Sequence, residues 1–195
     1  ADALSILNEG LAKYPDDFRM NYIKALTLQR DNRESESVEY FEKALLANPN
    51  EIQVLSALGL IYDNQGKYEK SEEIYERALK IDPQNALVLN NYAYNLSERG
   101  VKLDKALAMS KISLEIEPDN ASYLDTIGWI YFKMKNYKQA KKFIEMSLKI
   151  NPNSAVVMEH LGDIYFGMED YANAKKFWNS SLDLNPGNAG LQDKI

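Results

Sequence analysis

Six prolines stand at Pro15, Pro49, Pro83, Pro118, Pro152 and Pro186, separated by 34, 34, 35, 34 and 34 residues. Proline lacks an amide hydrogen and biases the residue before it away from helix, so each one marks a place where a helix must stop. A stop signal with this period points to an array of repeats, provided that other positions keep the same time.

Other positions do. Twelve residues before each proline stands a small residue: Ala3, Ser37, Ser71, Ala106, Ala140 and Ala174. Five before it stands another: Gly10, Ala44, Ala78, Ser113, Ser147 and Ser181. Four before it the residue is always leucine, from Leu11 to Leu182. Further upstream lies a third small position, Ala25, Gly59, Ala93, Gly128 and Gly162, followed three residues later by Leu28, Tyr62, Leu96, Tyr131 and Tyr165.

Each unit reads as two helices. In 52–85, Leu55, Leu58, Gly59 and Tyr62 share one face at helical spacing. Gly66-Lys67 breaks the pattern as a turn. Ser71, Ile74, Tyr75, Ala78 and Leu79 then form a second apolar stripe, which Pro83 ends. Asn85 has the character of an N-cap for the next helix, and Asp17, Glu51, Asn120, Ser154 and Asn188 hold the matching places. One unit cannot bury both stripes, so neighbouring units must stack.

These positions resemble the tetratricopeptide repeat, a 34-residue helix–turn–helix with the pattern W-x2-L-G-x2-Y, A-x3-F, P. Leu55-x2-Leu58-Gly59-x2-Tyr62, Leu124-x2-Ile127-Gly128-x2-Tyr131 and Met158-x2-Leu161-Gly162-x2-Tyr165 match its first part. Ser37-x3-Phe41, Ser71-x3-Tyr75, Ala140-x3-Ile144 and Ala174-x3-Trp178 match its second. The resemblance covers essentially the whole chain and is nearest to bacterial members. It divides the chain into five full repeats, 18–51, 52–85, 86–120, 121–154 and 155–188. Residues 1–17 read as the second helix of a partial repeat and 189–195 as the start of a further helix, all in a single tetratricopeptide domain. The mid-repeat start raises the expectation of a longer parent chain.

The sequence departs from the family pattern in two ways. Asn21, Leu55, Leu89, Leu124 and Met158 stand where the pattern has tryptophan. The third repeat carries one extra residue within 97–104, in the inter-helix turn, and has Ser110 at a place where other repeats are bulky, so Met109 is expected to fill that space differently.

The resemblance implies an all-α fold, an α–α superhelix or solenoid whose first helices line a concave groove. In the family, groove contacts come from the second, fifth, sixth, ninth and twelfth residues of a repeat. Carried onto this chain, the strongest candidates are Tyr22, Asn90, Asn91, Tyr94, Asp125, Trp129, Phe132, Glu159, His160 and Asp163. Some members clamp the carboxylate terminus of heat-shock chaperones with Lys and Asn. Here Tyr22, Leu26 and Ala57 stand at those places, and the next frame retains only Asn90, so the chaperone-adaptor function is rejected. The groove of repeats three to five is instead amide-rich, aromatic and acidic. Asparagines suit a peptide backbone, Tyr94 and Trp129 suit anchor roles, and Asp125, Glu159 and Asp163 favour a basic partner.

The two tryptophans separate by register. Gly128 shares a packing position with Gly59 and Gly162, Trp129 lies one residue past it on the groove side, and Trp178 falls with Phe41 and Tyr75 at a core position.

Composition narrows the chemistry. The net charge of −6 and pI near 5.0 argue against a nucleic-acid partner. The chain has no cysteine, which excludes thiol catalysis and thiolate metal sites, and with one histidine and no Asp-rich calcium-binding loop neither a metal nor a cofactor is expected. His160 lies beside Glu159 with no nucleophile arrangement around it. No glycine-rich phosphate loop occurs, and no apolar run approaches the ~18 residues of a membrane span. Cytoplasm and periplasm both remain open. The leading expectation is a non-catalytic scaffold that binds a peptide segment or partner protein in its groove. Two alternatives stand beside it: a substrate-recruiting arm of a larger enzyme, and a structural protein that self-associates through its end repeats.

Overall fold

The computed structural model describes residues 3–194; residues 1, 2 and 195 of the two terminal segments lie outside them. The chain forms two compact units, Ala1–Pro83 and Gln84–Ile195. The first holds α1 (Ala3–Lys13), α2 (Phe18–Arg30), α3 (Glu34–Ala47), α4 (Ile52–Asn64) and α5 (Tyr68–Ile81). The second holds α6 (Ala86–Glu98), α7 (Leu103–Ile116), α8 (Ala121–Lys133), α9 (Tyr137–Ile150), α10 (Ala155–Gly167), α11 (Tyr171–Leu184) and the short α12 (Ala189–Gln192). Among the described residues there is no strand, so the all-α class of stacked helical hairpins expected from the sequence is the fold observed.

The expected caps make most of these helices start where they do. Asp17, Asn85, Ser154 and Asn188 accept from the backbone N–H three residues on, and Asn120 accepts from Ser122 and Tyr123. Glu51 begins α4 without such a bond; its carboxylate accepts from Asn48 instead. The first helix of each hairpin ends in a left-handed residue, in turn Asn32, Gly66, Gly100, Lys135 and Glu169. The next residue's N–H then returns to the last turn of the helix, as in Lys67 to Tyr62 and Asn136 to Tyr131, which satisfies carbonyls left over at the helix end. The connection 99–102 is one residue longer than 31–33, 65–67, 134–136 and 168–170, and Lys102 takes up the excess with a second left-handed conformation. The extra residue of the third repeat therefore lies in the turn.

Within a hairpin the helices pack through one recurrent contact. A small residue on the first helix leaves room for a bulky one on the second. A Cβ added to Gly59 would lie 2.7 Å from the Tyr75 ring, one on Gly128 2.8 Å from Ile144, and one on Gly162 would overlap the Trp178 indole. Tyr75 and Ile144 are fully buried and Trp178 nearly so, which places Trp178 in the core as its register implies. At the same place in the third repeat Ser110 faces the hairpin interior with Ala93 in its partner helix; both are fully buried, and Met109 is buried beside them. Serines on the second helices fasten the pair further. Ser71 Oγ donates to the Gly59 carbonyl, Ser147 to that of Ala121 and Ser181 to that of Ala155, each at 2.8 Å.

Within the second unit α6 packs on α7, α8 on α9 and α10 on α11, and α8 also touches α6 and α10. The first helices therefore adjoin one another, which sets groups from different repeats side by side.

If the close approach governs stability, Gly162→Ala should destabilise the fold by about 2 kcal/mol, because the buried indole cannot retreat. Shortening the opposing side chain in Gly162→Ala/Trp178→Leu should recover part of the loss. Thermal unfolding of the two variants and the native chain measures both effects.

Candidate partner-binding face of the second unit

Three first helices, α6, α8 and α10, carry the candidate residues of the second unit. Their fifth and ninth repeat positions fall one helical turn apart on each helix: Asn90 and Tyr94, Asp125 and Trp129, Glu159 and Asp163.

The middle pair is closely engaged. His160, at the sixth position of the next repeat, sets its Nδ1 2.8 Å from Asp125 Oδ1. The imidazole also stacks on Trp129, centroid to centroid 4.1 Å with planes 19° apart. Trp129 stacks in turn on Phe132 at 4.7 Å, and its indole N–H donates to the Glu98 carboxylate of α6. Lys133 places its ammonium 4.9 Å from the Trp129 ring centre and donates to the Glu98 carbonyl at 3.2 Å. Asp125, Trp129 and His160 are all buried to about nine-tenths or more. The hydrogen bond fixes the rotation of the imidazole and the stack fixes its plane.

The last pair follows the same geometry with a different base. Lys194, again at the sixth position of the following segment, donates to Glu159 Oε1 at 3.0 Å and to the two Asp163 oxygens at 2.9 and 3.0 Å. Burial opposes the Lys194 charge, but the hydrogen bonds with Asp163 and Glu159 outweigh it and its pKa is raised. Asn188 donates to the other Glu159 oxygen at 2.9 Å. Asp163 also accepts the indole N–H of Trp178 at 3.0 Å, so this carboxylate bonds a core residue on one side and a surface cation on the other.

The first pair is different in kind. Asn90 is 6% exposed, and its Oδ1 has no hydrogen-bond partner among the described residues. Thr126 occupies the sixth position of the next repeat, where the other pairs have His160 and Lys194, and is itself buried. Tyr94 is partly buried. Burial, with the nearby negative charges of Glu98, Asp125 and Glu159, pushes its hydroxyl pKa up to about 12.

The structure thus brings together Asp125, Trp129, Phe132 and His160 by direct contact, joins Glu159 to Asp163 through Lys194, and sets Tyr94 within the field of two of these carboxylates. Asn91 is half-buried on α6. Tyr22 belongs to the first unit, where its ring packs on Phe18 at 5.8 Å and on Phe41 at 6.1 Å. Sequence reasoning missed Glu98, Lys133 and Lys194. For Lys194 the signal was present, since it stands 34 residues after His160 in the register. For Glu98 and Lys133 there was none, because their roles depend on which neighbouring helix faces them.

Among the described residues no group of three or more His, Asp or Glu side chains is arranged to hold a metal ion, and no helix is long and apolar enough to cross a membrane. Elsewhere two apolar hollows of about 420 and 400 Å³ recur at one register, the larger lined by Leu114, Pro118, Ile127, Tyr131 and Phe143, the other by Leu45, Pro49, Leu58, Tyr62 and Ile74. Their recurrence marks them as a product of hairpin stacking.

Comparisons with known proteins place the fold. The family model described as "Psidin, N-terminal TPR repeats region" matches residues 1–97, and two models described as "Tetratricopeptide repeat" match 121–154 and 155–188. The TPR repeat-containing protein PA4667 of Pseudomonas aeruginosa is 21% identical over 144 residues, 73% of this chain and 24% of that protein. The type IV pilus assembly protein PilF of the same species is 29% identical over 119 residues, 60% of this chain and 47% of that protein. The chain therefore spans about a quarter of one relative and about half of the other. The solved structure of Pseudomonas aeruginosa PilF superposes with a TM-score of 0.74 at 23% identity, over 89% of this chain and 79% of that one. The crystal structure of the APC/C hetero-tetramer Cut9–Hcn1 gives 0.83 at 15% identity, over 96% of this chain and 37% of that one.

The raised Tyr94 pKa has a testable sign. The unfolded tyrosine ionises near 10 and the folded one near 12, so the folded state holds the proton more tightly. The stability it contributes is present below pH 10 and is lost as the pH rises toward 12. Chemical denaturation at a series of alkaline pH values should show a shallower decline across this window for Tyr94→Phe than for the native chain.

Proposed function

Because the chain belongs to the tetratricopeptide repeat family, whose members generally mediate protein–protein interactions, we propose that it is a non-catalytic scaffold. On this proposal, a peptide segment or partner protein docks along the first helices of the second unit. The observation that carries this reading is the exposure of large apolar groups at the face's second and twelfth repeat positions. Leu87 is 49% exposed, Val156 55% and Phe166 53%. On α10, Val156 and Phe166 fall one helical turn from Glu159 and Asp163, and Leu87 lies on α6 with Tyr94. Exposed apolar area next to charged groups is typical of a surface that meets another protein.

The His160–Asp125 pair supports the same reading. A catalytic histidine must reach a substrate proton, whereas this ring is stacked on Trp129 and largely buried. The pair braces the wall of the face. PilF carries the name of a type IV pilus assembly protein. By that likeness the partner is a component of a multi-protein assembly.

The test is affinity capture from extracts of the source cells, run with the native chain and with Tyr94→Ala/Phe132→Ala/Phe166→Ser. Circular dichroism should show equal helicity. The native chain should retain partners that the variant loses; equal capture by both would defeat the assignment of this face.

A further inference from the structure

We propose that the Asn90–Tyr94 pair receives a lysine or arginine side chain from a partner peptide, with its charged head on Asn90 Oδ1 and against the Tyr94 ring. This rests on the proposed docking face and names the partner chemistry for one part of it.

In two successive repeats the fifth- and ninth-position side chains enclose a nitrogen base supplied from the sixth position of the segment that follows. Asp125 and Trp129 hold the His160 imidazole, one by a hydrogen bond of 2.8 Å and one by stacking at 4.1 Å. Glu159 and Asp163 hold the Lys194 ammonium by three hydrogen bonds of 2.9 to 3.0 Å. The chain itself thus shows that this geometry accepts both a flat aromatic base and an aliphatic ammonium.

At Asn90 and Tyr94 the sixth-position residue is Thr126, which carries no base. The acceptor is nonetheless in place. Asn90 is more than nine-tenths buried, and its Oδ1 is unpartnered among the described residues. A buried carbonyl without a donor has lost its water without compensation, so a ligand that supplies the donor recovers that loss.

The surroundings select among donors. A neutral backbone N–H would satisfy Asn90, but the negative charges of Glu98, Asp125 and Glu159 all act on the Tyr94 hydroxyl one turn away. His160 partners Asp125, Lys194 partners Glu159, and Trp129 donates to Glu98. Three carboxylates act on Tyr94, against the cations Lys194 on Glu159 and Lys133 on the Glu98 carbonyl, so the excess of negative charge favours an incoming cation over a neutral donor. The Tyr94 face adds a cation–π contribution, as Trp129 does for Lys133.

The experiment is a nitrogen-15 NMR titration of the whole chain with acetyl-Gly-Lys-Gly-amide and, separately, with its norleucine counterpart, which has the same backbone and a neutral side chain. The lysine peptide should shift the Asn90 side-chain amide and its α6 neighbours saturably, and the norleucine peptide should bind more weakly. Asn90→Leu should weaken lysine binding about tenfold, as expected for loss of a charge-assisted hydrogen bond. Asn90→Asp, which keeps the side-chain shape, should tighten it. Equal binding of both peptides on α6 would overturn the cation and leave the docking face standing. Lysine binding indifferent to Asn90→Leu and Asn90→Asp would overturn the assignment to this pair. Shifts confined to the second helices would overturn the pair and the docking face together, and no saturable shift with either peptide would overturn the proposal.

Discussion

The close contact between paired helices is the constraint on which the rest depends. At Gly59, Gly128 and Gly162 the first helix approaches its partner so nearly that a methyl group would collide with Tyr75, Ile144 or Trp178. That approach buries the bulky residue completely or almost so. It also decides which residues remain outside. In the second unit α8, with its glycine side fixed against α9, also touches α6 and α10, so residues beside Gly128 can meet the neighbouring first helices. Trp129 is one residue past Gly128, and its stack with His160 follows from this placement.

Much of this was legible in the sequence because repeats turn one observation into five. Proline spacing placed the helix ends, the recurrent small residues placed the close contact, and Trp178 was assigned to the core by register alone. Five of the six expected capping residues make the side-chain bond that their chemistry favours. The exception, Glu51, has a longer side chain that reaches Asn48 instead.

Pairings between repeats were not legible. His160 read as a groove residue with an acidic neighbour in Glu159, whereas its partner is Asp125, 35 residues earlier. Adjacent residues on a helix point in different directions, so sequence neighbours were the wrong place to look. The same holds for Trp129 and Glu98, and for Lys194 with Glu159 and Asp163. Periodicity fixes which positions share a face. It does not say which side chains are long enough, or suitably charged, to meet across two helices.

Asp163 joins two parts of the molecule that usually vary independently. One oxygen accepts the N–H of the buried Trp178 and, with the other, holds the Lys194 ammonium. Replacing this aspartate by a neutral residue to suit a new partner would strip an interior indole of its acceptor, and replacing Trp178 would release the carboxylate that orients the cation. Surface residues ordinarily drift quickly while interior ones are held by packing. Here an interior tryptophan ties a surface charge to the slower rate, so the acidic character of this end of the molecule would outlast a change of partner in its descendants.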